Sequence, residues 1–188
     1  RAFAEAFAPH GVEVDYSRIA GMTTGAAVDR LAAAAGLTLD EAERARLVEA
    51  KRDYGLALIE RELVAVEGAP DFVRAAGHRF RLALCTSGSR RSVEAALARV
   101  GLAGCFDPTI TAEDVTRGKP DPEIFLQALA RTGAAADEAL IFEDADSGIA
   151  AAKAAGVDAL RIVAPDAAPG AGEADWPALN AALAELDR

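Results

Sequence analysis

The sequence predicts an α/β fold: a Rossmann-like parallel sheet core with helices on both faces, preceded by a small all-helical domain. Three observations lead there. Residues 1–66 carry only helical patterns, residues 68–188 alternate short apolar runs with amphipathic segments, and several of those runs end in polar clusters. Strands separated by helices of this length need right-handed crossovers, which produce a parallel sheet covered on both faces. The helical domain is assigned to 1–67 and the α/β core to 68–188.

The elements follow in order. "RAFAEAFAPHG" is helical, with Phe3 and Phe7 four apart on one face. Thr24 is a candidate cap for a helix whose apolar face is Val28, Leu31 and Ala35. "TLDE" has the form of a capping box, Thr38 with Glu41. The helix after it is expected to reach the low sixties, with Val48, Tyr54 and Leu58 turned inward. A short helix then carries Phe72, Val73 and Ala76 and stops at Gly77. "FRLALCT" reads as a strand, "SRRSVEAALARVG" as a helix with Val93, Leu97 and Val100 on one face, and "FDPTIT" as a short strand. "DPEIFLQALARTG" is a helix with Asp121 as cap and Pro122 at its first position. "ALIFED" is a strand, "SGIAAAKAAG" a helix, "DALRIVA" a strand, "APDAAPGAGEAD" a loop and "DWPALNAALAEL" a final helix.

Composition sets the outer bounds. The 188 residues are 52% apolar, enough for a real core, yet only 5% aromatic, so Ala, Leu and Val do most of the packing. A formal charge of −10 disfavours non-specific binding to nucleic acid or anionic membrane, both of which need basic surface. No apolar run approaches membrane-span length. Cys85 and Cys105 lack metal-type spacing, and Cys85 lies in an apolar run as a buried thiol. A reducing compartment, the cytoplasm, is expected. His10 and His78 fall in loops and are expected at the surface.

In open parallel sheets, ligands bind at the carboxyl ends of the strands. "FRLALC" ends in Thr86, Ser87, Gly88 and Ser89, a hydroxyl and small residues at a helix start. Such a place suits an oxyanion, though taken alone it is an ordinary N-cap. Lys119 stands between Gly118 and Pro120 ahead of a helix; alone it is a surface lysine, but the two prolines of "KPDP" restrict its backbone. "ALIF" ends in Glu143, Asp144 and Asp146. One acid suffices as a cap, Asp146 or Ser147 being the candidates. Adjacent carboxylates repel unless a cation intervenes, and oxygen ligands at a strand end suit Mg²⁺. Gly148 then allows close approach. Anion seat, lysine and acid pair together describe a site for phosphoryl transfer.

"LALCTSGS", "GKPDPEIF" and "IFEDADSGIAAAKAAGV", in this order and spacing, resemble the haloacid dehalogenase superfamily, and within it the β-phosphoglucomutase-like branch. The resemblance spans nearly the whole chain, the helical first third matching that branch's cap domain. It implies a phosphatase that acts on a small phosphorylated metabolite through an aspartyl-phosphate intermediate. Thr86 matches the hydroxyl that bonds the phosphoryl group, with Ser87 and Gly88 offering backbone N–H groups beside it. Lys119 matches the lysine that neutralises nucleophile and phosphoryl charge. Asp144 matches the Mg²⁺ ligand, with Glu143 as a further ligand or supporting acid. Many relatives have Gly in place of Glu143 and a second Asp in place of Gly148.

The family's nucleophile motif, Asp-x-Asp-Gly-Thr, does not occur in this sequence. The resemblance therefore implies a nucleophilic Asp before Arg1, on a strand lying between those that end at Thr86 and Asp144. "AGMTTGAAVDRL" resembles the cap's substrate loop, making Met22, Thr23 and Thr24 candidates, although helix capping explains the threonines equally well. That loop holds no basic residue until Arg30, which weakens a sugar-phosphate mutase reading. A phosphomutase and a non-catalytic binding domain on the same fold remain the alternatives. A monomer is expected, a dimer being possible, with no nucleic-acid or membrane partner.

Overall fold

A computed structural model describes residues 1–19, 22–163, 169–170 and 172–186. Part of the expected loop between 164 and 175, and Ala20 and Gly21 of the substrate-loop motif, lie outside the described residues.

The helical third comprises α1 (Ala2–Phe7), α2 (Thr24–Ala34) and α3 (Glu41–Glu62), with short 3₁₀ turns at Ala8–His10 and Tyr16–Arg18. It has its own apolar cluster, in which Phe7 and Val28 are fully buried among Ala6, Ile19, Leu31 and Leu47. Three details depart from expectation. Thr23, not Thr24, caps α2, its hydroxyl accepting from the Ala26 N–H. The capping box ahead of α3 is Asp40 with Glu43, not Thr38 with Glu41. A carboxylate accepts the free N–H groups of a first turn better than a threonine does, and it also favours the helix dipole. Finally, Tyr54 is exposed while Leu56 is buried, and Ala35 lies outside the buried face formed by Ala27, Val28, Leu31 and Ala32.

The α/β part runs α4 (Ala69–Gly77), β1 (Leu84–Cys85), α5 (Arg90–Arg99), β2 (Thr109–Ile110), α6 (Glu123–Thr132), β3 (Leu140–Glu143), α7 (Asp146–Ala155), β4 (Asp158–Ile162), β5 (Glu173–Ala174) and α8 (Trp176–Glu185). Every strand pair is parallel. β1 pairs with β2, and β3, β4 and β5 form a second ladder. No ladder joins β1 to β3 among the described residues. β1 is shorter than the apolar run suggests, and among the described residues it is paired on one side only. Its hydrogen bonds, Asp107 N–H to Leu82 O and Thr86 N–H to Ile110 O, extend slightly beyond the two paired residues. β5 was expected as loop: its residues, Glu and Ala, carry no strand signal, and it pairs only at the edge of β4.

Side-chain alternation on β3 separates two helical layers. Ile141 packs with Ile124, Phe125, Ala151 and Ala152 of α6 and α7, whereas Phe142 packs with Phe72, Ala76, Trp176 and Leu183 of α4 and α8. Ala151 and Ala152 are fully buried, and their small side chains let α7 lie close to the sheet. Gly68, at φ +78°, starts α4 where a side chain would press on Trp176 and Asn180, and Asn180 Nδ2 donates to its carbonyl at 2.9 Å. The second layer is thereby tied to the start of the core.

Candidate phosphoryl-transfer site

At the end of β1, the Thr86 N–H continues the ladder by donating to Ile110 O, while its Oγ1 accepts from the Gly88 N–H at 3.0 Å. The Gly88 N–H is thus used within the turn and is not free to line an anion seat as expected. The Thr86 hydroxyl donates to no group among the described residues, so its proton is available to a ligand. Ser89 caps α5 through Ser92. Under this turn, fully buried Thr111 binds Glu113 and Asp114, whose carboxylates also take the Arg90 N–H and the Arg90 guanidinium. The Thr111 N–H above all holds the Asp114 carboxyl below its ordinary value.

Lys119 is nearly buried. Its Nζ lies 2.5 Å from Glu143 Oε2, 3.3 Å from Cys85 O and 5.0 Å from the Phe125 ring centroid, so it spans the ends of β1 and β3. The exposures of the two charged side chains are 9% and 11%. Removing one member of so buried a pair costs about 3–5 kcal/mol, because the other is left uncompensated. Glu123 holds the preceding turn: it accepts the Thr116 N–H at 2.8 Å, the Thr116 hydroxyl at 2.8 Å and the Arg117 N–H at 3.0 Å. These bonds, the Thr116 N–H first, lower its carboxyl to about 2. α6 begins one residue later than expected, with Pro122 as N-cap, because Asp121 accepts from the Glu123 N–H and takes up the first turn.

At the end of β3, Glu143 also accepts the Ala145 N–H at 3.3 Å. A Cβ at Gly148 would overlap the Glu143 carboxyl, so the glycine makes room for the acid as it turns toward Lys119. The expected caps of α7 do not form: Ala145 is its N-cap and makes no side-chain bond. Asp146 instead pairs with Arg161 at 2.7 Å, since β4 brings Arg161 into register with Glu143. Arg161 also donates to the Asp144 carbonyl, while the exposed Asp144 carboxylate has no hydrogen-bond partner among the described residues. Glu143 is thus paired with Lys119, whereas the Asp144 carboxylate is unengaged among the described residues. No third His, Cys, Asp or Glu joins them into a metal cluster among the described residues.

Thr86, Ser87 and Lys119 line one cavity of about 650 Å³ with Met22 and Thr23 of the helical third, within the range of roughly 300–1,000 Å³ usual for small-molecule sites. Thr24 is not part of its wall; its hydroxyl accepts from Lys51 at 3.4 Å. Asp29, Arg30 and Thr116 are also on the wall; of these the sequence singled out only Arg30, as the first base beyond the loop and not as a wall residue. The spacing of Thr23, Ala26 and Arg30 places them on one face of α2, a signal that was available. Burial pushes the Cys85 thiol up to about 11. His10 and His78 are exposed, as expected.

A family model for haloacid dehalogenase-like hydrolases matches residues 1–156. The chain belongs to this family. It is 35% identical over 179 residues to validoxylamine A 7'-phosphate phosphatase of Streptomyces hygroscopicus subsp. limoneus, covering 93% of this chain and 82% of that protein. The crystal structure of CbbY from Rhodobacter sphaeroides in complex with phosphate superposes with a TM-score of 0.77 at 28% identity, covering 89% of this chain and 78% of the other. β-Phosphoglucomutase of Clostridium difficile shares the fold, with a TM-score of 0.76 at 22% identity over 86% of this chain and 75% of the other.

Proposed function

We propose that the protein is a phosphomonoesterase of small phosphorylated metabolites, working with Mg²⁺ through an aspartyl-phosphate intermediate. The observation that carries the reading is the convergence of Thr86 and Lys119 on one cavity, with Lys119 held by Glu143, the residue before Asp144 in the chain. The Thr86 hydroxyl donates to a phosphoryl oxygen. Lys119 has three N–H donors, of which Glu143 and Cys85 O take two, leaving one for the phosphoryl group. Glu143 keeps the ammonium in place, and Ser87, an exposed residue, lines the same wall. Asp144, with Glu143 next to it, fits Mg²⁺, which takes one or two carboxylates together with waters and substrate phosphate. When bound, the ion neutralises phosphoryl charge. In this reading the nucleophile is an Asp carboxylate in line with the bound phosphoryl group. The phosphatase name of the Streptomyces relative and the phosphate bound by CbbY support the assignment.

The test is phosphate release by the complete protein from a panel of phosphorylated sugars and sugar alcohols with Mg²⁺. Lys119→Arg is expected to lower kcat/KM by roughly a hundredfold or more, equivalent to about 3 kcal/mol of lost electrostatic stabilisation, because a planar fork does not replace a point charge. Asp144→Asn is expected to raise the Mg²⁺ concentration needed for half-maximal rate. An isomerised sugar phosphate without free phosphate would make the protein a mutase. An unchanged rate for Lys119→Arg would remove the site assignment.

A further inference from the structure

Among the described residues, Thr111 is the only polar side chain that is completely buried. Valine has the same branched shape and suits a strand end equally well, so the hydroxyl is explained by the bonds it makes. Thr111 follows β2, and its Oγ1 lies 2.8 Å from Glu113 Oε2 and 2.9 Å from Asp114 Oδ2. Asp114 has other donors: the Thr111 N–H and the guanidinium groups of Arg90 and Arg131. Glu113 depends on the hydroxyl more. Its carboxylate has two hydrogen-bond donors among the described residues, the Thr111 hydroxyl and, at 3.0 Å, the N–H of Arg90, the first residue of α5. Burial works to raise the Glu113 carboxyl, yet these two bonds hold it below its ordinary value.

The backbone of residues 86–90 is tied to the segment 110–114 at three points. The Thr86 N–H donates to Ile110 O at 3.0 Å, and Gly88 O accepts the Ala112 N–H at 3.1 Å. Both bonds join backbone to backbone. The third, from the Arg90 N–H to Glu113, fixes the far end of the turn and requires a particular side chain. Thr86 and Ser87 line the main cavity together with Ala112, whereas the Thr111 and Glu113 side chains are not on its wall. Groups that meet a reacting phosphoryl oxygen work only if the residues behind them lock their positions.

We propose that Thr111 and Glu113 are positioning residues that hold the turn 86–90 in the shape that seats the phosphoryl group. The Thr111 hydroxyl aims the Glu113 carboxylate, and Glu113 holds the first N–H of α5. The inference rests on the reading of this cavity as a phosphate-ester site.

Three variants of the complete protein test it. Thr111→Val keeps the branched shape and removes the hydroxyl. Thr111→Ser keeps the hydroxyl and gives up a buried methyl. Glu113→Ala removes the carboxylate at an exposed position. The readouts are amide exchange of Arg90 by NMR, and binding of inorganic phosphate with Mg²⁺ by calorimetry. Thr111→Val and Glu113→Ala are each expected to speed Arg90 exchange and to weaken phosphate binding by about tenfold, the scale of one hydrogen bond to a charged group. Thr111→Ser is expected to stay near wild type in both. A role in stability alone would make affinity follow melting temperature and not the hydroxyl. Wild-type phosphate affinity in Thr111→Val overturns the inference, whether or not Arg90 exchange changes, and so does an equal loss in Thr111→Val and Thr111→Ser. If Thr111→Val does not fold, Glu113→Ala decides by the same two readouts. A wild type that binds no phosphate overturns the inference together with the reading of the cavity. A wild type that binds phosphate yet releases none from any ester counts against the phosphatase reading alone, while the variants still decide the role of Thr111 and Glu113.

Discussion

A methyl group at position 148 would fall inside the Glu143 carboxyl. Alanine is ordinarily better than glycine within a helix by up to about 1 kcal/mol, but here overlap with a buried acid outweighs that preference. Gly148→Ala is expected to destabilise by roughly 1–3 kcal/mol, the usual cost of overpacking. In a Glu143→Gly background the same change should become neutral or stabilising. Urea unfolding of the four proteins in this cycle gives the sign, and additivity of the two substitutions would refute the coupling. The pairing of Glu143 with Gly148 was visible in the sequence only as a double departure from the family pattern. The direction of the Glu143 side chain, toward Lys119, was not visible, because it depends on how far apart β1 and β3 stand.

Two short elements place the charged groups. The turn before α6 is clamped by Glu123, whose carboxyl sits at about 2 against an ordinary 4.5. The unfolded chain therefore takes up this proton at higher pH than the folded one. The stabilisation is complete above about 4.5 and is lost as pH falls toward about 2. The melting-temperature gap between wild type and Glu123→Gln is expected to be widest at neutral pH and to close across that acidic window; a gap independent of pH would refute the clamp. α3 starts at the reciprocal box of Asp40 and Glu43, with bonds of 2.8 and 3.2 Å. Asp40→Ala should cost about 1 kcal/mol, whereas Thr38→Ala should cost little, a difference that thermal melts resolve. The sequence offered both boxes within six residues, and local pattern alone could not choose between them. Strands were legible as apolar runs, but their paired lengths were not, since those depend on neighbours far away in the chain.

For the molecule as a whole, the α/β class and the convergence of Thr86 with Lys119 were readable, because strand ends of a parallel sheet collect at one edge. Arg30, read from the sequence only as the first base beyond the loop, stands seven residues after Thr23, and the helix turns it back to the same wall. The aromatic residues divide between the two halves of the chain in a useful way. Trp176, the single tryptophan, lies 5.4 Å from Phe72 and 6.2 Å from Phe142, whose next neighbour is Glu143. Both tyrosines, Tyr16 and Tyr54, are exposed on the helical third. The protein thus carries its own pair of spectroscopic reporters. Indole emission follows the docking of α4 and α8 on β3, the strand that bears the acids, and phenol emission follows the helical third. Loosening of one half while the other stays folded can be watched in two colours without adding a label.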